Sequence, residues 1–86
     1  MTWRIDWSRH AQQDLRTIDH RTAERILSAI ERLAEQQQGD VRRLQGLDPP
    51  EWRLRVGDWR VRFAYDFEER RLLTLRVLPR GQAYRD

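Results

Sequence analysis

The sequence predicts an α+β domain in the order β-α-α-β-β-β, with a helical hairpin packed on one face of a mostly antiparallel sheet. Three observations predict it. TWRIDW at residues 2–7 alternates, with Trp3, Ile5 and Trp7 on one side and Thr2, Arg4 and Asp6 on the other, the period of a half-buried strand. Ala23, Ile26, Leu27, Ile30, Leu33 and Ala34 recur at helical spacing and make a broad apolar stripe. WRLRVGDWRVRF at residues 52–63 alternates on both sides of a Gly-Asp pair, the pattern of a tight hairpin.

The elements follow in order. After the first strand, Ser8 stands where a helix N-cap belongs, and Ala11, Leu15 and Ile18 continue at helical spacing, so a first helix covers residues 9–18. Asp19 is a second N-cap candidate and opens a helix over 20–36. The polar run Gln36-Gln37-Gln38-Gly39-Asp40 ends it, with Gly39 as the expected C-cap. Residues 41–51 read as a connection punctuated by Gly46 and Pro49-Pro50. A meander follows, with strands over 51–56, 59–67 and 71–78, a two-residue loop at Gly57-Asp58 and a turn at Glu68-Glu69-Arg70. All 86 residues form one domain. A chain of this length buries roughly 60–65% of its unfolded surface.

Composition narrows the function. There is no cysteine, which excludes a disulfide scaffold and any thiolate ligand or nucleophile. No apolar run approaches the roughly 18 residues of a membrane span, and the N-terminus lacks the apolar stretch of a signal peptide, so the expected compartment is the cytoplasm. All 17 basic residues are arginine. Residues 1–40 carry six arginines against seven acids, and residues 41–86 carry eleven against seven. A GC-rich genome explains arginine over lysine but not this clustering. A local basic surplus points to a polyanion or an acidic protein partner.

The two-residue loop fixes a register in which Val56 faces Trp59, Arg55 faces Arg60, Leu54 faces Val61, Arg53 faces Arg62 and Trp52 faces Phe63. All four arginines then share one face, with no acid among them, and the apolar side chains share the other. Like charges placed directly across strands are destabilising. A solvated face whose arginine stems cover apolar surface is one reading. An anion site is the sharper one, because the planar guanidinium binds two phosphate oxygens at once. A pairing of Phe67 with Arg71 across a three-residue turn would bring Arg76 opposite Arg62 and send Leu73, Leu75 and Val77 to the core. Pro79 ends the last strand, and Arg80, Tyr84 and Arg85 leave the same sheet in a short tail. Tyr84 offers a ring for base stacking or a hydroxyl for proton transfer.

WSRHAQQDL, LQGL, WRLRVGDWRVRF and LPRGQAYR together resemble the RelE family of type II toxin-antitoxin toxins, over nearly the whole chain. The arginine-rich hairpin is the most specific part. The resemblance implies two helices on an antiparallel sheet and a ribosome-dependent endoribonuclease that cuts mRNA in the ribosomal A site without metal. The RNA 2′-OH attacks the adjacent phosphate, leaving a 2′,3′-cyclic end and a free 5′-OH. Such chemistry needs a base, cations for the transition state and an acid for the leaving oxygen. By similarity, Arg60 and Arg80 are the transition-state arginines, and Tyr84 orients the nucleophile or stacks a base. Arg53 and Arg55 stand where the family pattern has lysines. Arginine does not lose its proton near neutral pH, so these two hold phosphate, and the base candidates are Tyr84, Asp58, Glu51 or water. His10 and His20 read as surface residues of the helical half. Arg43, Arg62, Arg76 and Arg85 are the expected RNA-binding set.

The alternative from the same superfamily is a ParE-like toxin that inhibits DNA gyrase and is not a nuclease; the pairing of Arg80 with Tyr84 in the tail favours the RelE side. A third reading makes the basic face a seat for an acidic antitoxin. A cognate antitoxin is implied in every case, as an amphipathic helix or extended segment. No cofactor is implied. Asp6, Asp14 and Asp19 are dispersed and read as solvated positions and caps, not a metal cage.

Overall fold

Seven elements build the chain in the computed structural model, which describes residues 2–82. They are β1 (Arg4–Trp7), α1 (Arg9–Arg16), α2 (His20–Gln36), β2 (Asp40–Arg43), β3 (Trp52–Val56), β4 (Trp59–Asp66) and β5 (Arg71–Pro79). The five strands form one sheet in the order β1-β5-β4-β3-β2. β1 runs parallel to β5, and every other pair is antiparallel.

Both helix starts are capped as their sequence requires. Ser8 Oγ accepts from the Ala11 N–H at 3.0 Å and Asp19 Oδ2 from the Thr22 N–H at 3.0 Å, which satisfies donors that a helix N-terminus otherwise leaves open. The C-cap of α2 departs from expectation. Gln37, not Gly39, takes the left-handed conformation (φ 57°) and bonds back to Leu33 O. Gly39 serves the next step: at φ +150°, a side chain there would meet Leu54 Cδ1 at 2.8 Å. The chain can therefore turn straight into β2. This short strand replaces part of the expected connection. DVRR has only one apolar residue and no visible alternation; its strand character comes from pairing with β3.

The β3–β4 register is the one the Gly57-Asp58 loop dictates, from Val56 opposite Trp59 to Trp52 opposite Phe63. Gly57 sits at φ +60°, as a glycine-first two-residue loop needs. The β4–β5 register corrects the sequence reading. The turn has four residues, with Asp66 opposite Arg71. Asp66 Oδ1 accepts the Glu69 N–H at 3.1 Å, and its Oδ2 accepts from Arg71 Nη2 at 3.0 Å, which closes the longer turn. Leu72 and Thr74 consequently face the core in place of Leu73 and Leu75. An irregularity beside Arg62/Phe63 then skips Leu75 and restores Val61 opposite Val77 and Arg62 opposite Arg76.

Ile26, Ile30 and Leu33 of α2 pack on Leu54, Val61, Phe63, Leu72 and Val77. Full burial of each such side chain is worth about 1.5–3 kcal/mol. α1 does something different. β1 stops at Trp7 while β5 runs on, and α1 lies along the edge of β5 that β1 leaves open. Ser8 N–H donates to Thr74 O at 2.9 Å, Ser8 Oγ to Leu75 O at 2.8 Å, and Val77 N–H to Asp14 Oδ2 at 2.8 Å. The Ser8 backbone and the Ser8 and Asp14 side chains thereby satisfy an edge that would otherwise be open to another strand. Among the described residues no helix is long and apolar enough to cross a membrane.

Candidate nucleic-acid interface

The face of the sheet away from α2 carries the arginines. Strand alternation and the three antiparallel registers place Arg42, Arg53, Arg62 and Arg76 side by side, one per strand from β2 to β5. The row spans three strand spacings, roughly 14 Å. Asp40, Arg55, Arg60 and Leu78 make a second row next to it.

The face is not free of acids, as the hairpin alone suggested. Arg53 is only 6% exposed, and its Nη1 donates to Asp40 O at 3.2 Å and Asp40 Oδ1 at 3.4 Å. Its buried Nε has no partner. Arg62 holds Glu51 Oε1 through Nε at 3.0 Å and Nη2 at 2.8 Å. Arg76 holds both oxygens of Asp14, at 2.8 and 3.2 Å, and this carboxylate keeps the Arg76 pKa above its ordinary value. Each member of the four-arginine row except Arg42 therefore has an acid that offsets the repulsion between like charges. Glu51, a candidate base from sequence, is engaged by Arg62.

The hairpin end is different. Arg55 is exposed and forms no ion pair among the described residues. Arg60 is 8% exposed, and its Nη1 donates to two backbone carbonyls, Gly57 O at 2.8 Å and Trp59 O at 2.9 Å. Arg80 lies in the turn after β5, where its N–H donates to Asp58 O at 2.9 Å. That bond draws the start of the tail onto the Gly57-Asp58 loop. Arg55, Arg60 and Arg80 thus gather around one turn, with Asp58 in that turn and Asp40 across the strand from Arg55. A site so arranged can take an anion.

A helix-to-strand chain of this order, with arginines gathered at one hairpin end, can be set beside known proteins. A family model described as the ParE toxin of type II toxin-antitoxin system, parDE, matches residues 5–84. The chain belongs to this toxin family. It is a type II toxin of the RelE/ParE superfamily. No curated protein sequence matches it. Among solved structures, the archaeal RelE-RelB complex from Pyrococcus horikoshii OT3 aligns with a TM-score of 0.78 and 25% identity, covering 96% of this chain and 100% of that one. The RelBE2 toxin-antitoxin complex from Mycobacterium tuberculosis aligns with a TM-score of 0.75 and 20% identity over 93% of this chain and 100% of that one. The RelB-RelE complex from Methanococcus jannaschii gives 0.73 and 20%, over 92% and 94%.

Within this toxin the expected residues separate. Arg53, Arg55, Arg60, Arg62 and Arg76 share the arginine face. Arg43 does not: it pairs with Trp52 in the register, and its guanidinium carbon lies 5.9 Å from the Trp52 ring on the opposite face. Arg42 is the β2 arginine on the arginine face, and the missed strand concealed it. Tyr84 and Arg85 lie outside the described residues. Tyr65 sits on the core side among Trp3, Trp52, Phe63 and Phe67, where burial pushes its hydroxyl pKa up. His20 is on α2, with Nε2 2.9 Å from Glu24 Oε1. His10 is an exposed residue of α1, as the sequence predicts, and it also borders the arginine face. Glu51 was legible, because it shares strand parity with Arg53 and Arg55. Asp14 was not, because only the path of α1 brings it to Arg76. Among the described residues, no three or more His, Asp or Glu side chains group as metal ligands would.

Proposed function

We propose that this toxin is a metal-independent endoribonuclease that cuts ribosome-bound mRNA, acting at the hairpin end of the arginine face. The observation that carries this reading is the gathering of Arg55, Arg60 and Arg80 around the Gly57-Asp58 loop, with the Arg80 N–H bonded to Asp58 O. Attack of a ribose 2′-OH on its phosphate concentrates negative charge on the non-bridging oxygens. Fixed guanidinium donors stabilise that charge without reorganising. Arg60 is held by backbone carbonyls, and Arg80 is carried in by the turn after β5. Arg53, Arg55, Arg62 and Arg76 line the approach, with Arg42 in place of Arg43. Tyr84, close to Arg80 in sequence, is the residue that the family resemblance assigns to orienting the nucleophile or stacking a base. Asp58 is the carboxylate next to this cluster and the base candidate not engaged by an arginine among the described residues. The solved relatives are complexes of RelE with RelB, which supports a cognate antitoxin for this chain, and a segment laid over the arginine face would exclude RNA.

Controlled expression of the wild type and of Arg60→Ala with Arg80→Ala, followed by mapping of mRNA 5′ ends, tests the proposal. New 5′-OH ends inside coding regions, absent in the variant, are the expected result. Growth arrest without new ends refutes it. The ParE family match favours a second reading, inhibition of DNA gyrase. DNA-damage signalling on expression, with intact mRNA, would select that reading.

A further inference from the structure

Away from the hairpin end, the arginine face rises against the start of α1 and forms a concavity of about 460 Å³. Arg9 and His10 from α1, Arg62 from β4, Arg76 and Leu75 from β5, and Glu51 line it, with Ser8 at its margin. The chain is pinned at this point. Ser8 bonds to the Thr74 and Leu75 carbonyls, so the two residues that follow are delivered to the irregular segment of β5. Leu75, skipped by the β4–β5 register, contributes an apolar surface to the concavity.

The arginines here are held but not exhausted. Arg62 uses Nε and Nη2 on Glu51, and Arg76 uses Nε and Nη2 on Asp14. A guanidinium carries five N–H donors, so each retains the Nη1 pair. Arg9 is exposed and forms no ion pair among the described residues. Three cations against the two carboxylates Glu51 and Asp14 leave a positive surplus before His10 is counted.

We infer that this concavity is a nucleotide subsite, taking the residue of a single-stranded RNA next to the one at the hairpin end. The inference rests on the ribonuclease reading for its choice of RNA. Arg60 and Arg62 are two residues apart on β4, a step of roughly 7 Å along the face. Arg9, Arg62 and Arg76 hold the phosphate, and His10 and Leu75 flank the base. Glu51 distinguishes this ligand from an acidic peptide. Its carboxylate repels phosphate and carboxylate alike, but it accepts hydrogen bonds from a ribose hydroxyl or a base amino group, donors that ionised acidic side chains lack.

The test uses the full chain and a fluorescently labelled single-stranded RNA hexanucleotide, with hexaglutamate as the competing probe. Affinity is read for the wild type and for Arg9→Ala with His10→Ala, and the His10 imidazole resonances are followed by NMR. Both residues are exposed, so the variant should keep the wild-type melting temperature. Binding about tenfold weaker in the variant, a salt dependence reduced by roughly one phosphate contact, and His10 resonances that shift on RNA addition support the subsite. Equal affinity of the two proteins, or His10 shifts with hexaglutamate but not with RNA, overturns it. Mapping of 5′ ends separates the two proposals: RNA binding that depends on Arg9 and His10 without cleavage in cells keeps the subsite and removes the nuclease.

Discussion

The two ends of the arginine face are built on opposite principles. Toward β5 and α1, arginines are clamped by acids from distant elements: Arg76 by Asp14 of α1, and Arg62 by Glu51 before β3. At the Gly57-Asp58 loop, Arg55 has no acid partner among the described residues and Arg60 is held by carbonyl oxygens. An arginine that satisfies a carboxylate works as a structural fastener. One tethered only to backbone dipoles keeps its full charge for a ligand. On the ribonuclease reading, the contrast separates cations already committed to the fold, which offer a ligand only their remaining donors, from cations free to act in the chemistry, although all descend from the same alternating pattern.

The comparison breaks first, if it breaks, at the loop end. Replacing Arg55 and Arg80 by Ala should lower cleavage by about 10²–10³-fold, the loss typical of a fixed transition-state donor. The melting temperature should not move, because both side chains are exposed. Primer extension on ribosome-bound mRNA together with a thermal melt reads both quantities, and a large stability loss would erase the distinction.

The clamped end should behave in the opposite way. Asp14→Ala strips Arg76 of its partner and leaves the Val77 N–H without an acceptor, at a cost of about 2–3 kcal/mol. Urea denaturation measures it, and a value near zero would mean that α1 does not depend on this clamp. Glu51→Gln should cost less, about 1 kcal/mol, because Glu51 bonds only a side chain and a glutamine oxygen can still accept from Arg62. A collapse of cleavage in this variant with stability intact would instead move Glu51 to the chemistry.

The smallest effect concerns acid. Asp66 is held below the ordinary carboxylate value of 3.8, mainly by the Glu69 backbone N–H and next by Arg71. Its folded form thus favours the ionised state. The stability it adds is complete above the ordinary value and is lost as pH falls through the lowered one. Melts across the acid limb should show a shallower decline for Asp66→Asn than for the wild type. Parallel curves would remove Asp66 from the turn's energetics.

Much of this toxin was readable from the chain itself. Ser8 and Asp19 cap their helices through hydrogen bonds three residues away, and the Gly57-Asp58 loop sets the whole β3–β4 register. Both are local effects, so sequence suffices, and the shared face of Arg53, Arg55, Arg60 and Arg62 follows from that register alone. The β4–β5 turn was harder. The run from Asp66 to Arg71 is mostly charged and has no period, so the extra turn residue is set by Asp66's own hydrogen bonds.

Tertiary structure alone decided the rest. β2 is a strand because β3 offers it a ladder, and with it came Asp40 beneath Arg53, Arg42 on the arginine face and Arg43 on the other. α1 follows the open edge of β5 because β1 is too short to cover it, and this carries Asp14 to Arg76 across 62 residues of chain and brings His10 to the arginine face. Alternation tells which side of a strand a residue takes. Which distant acid or imidazole arrives there depends on strand order and on where a neighbouring strand ends.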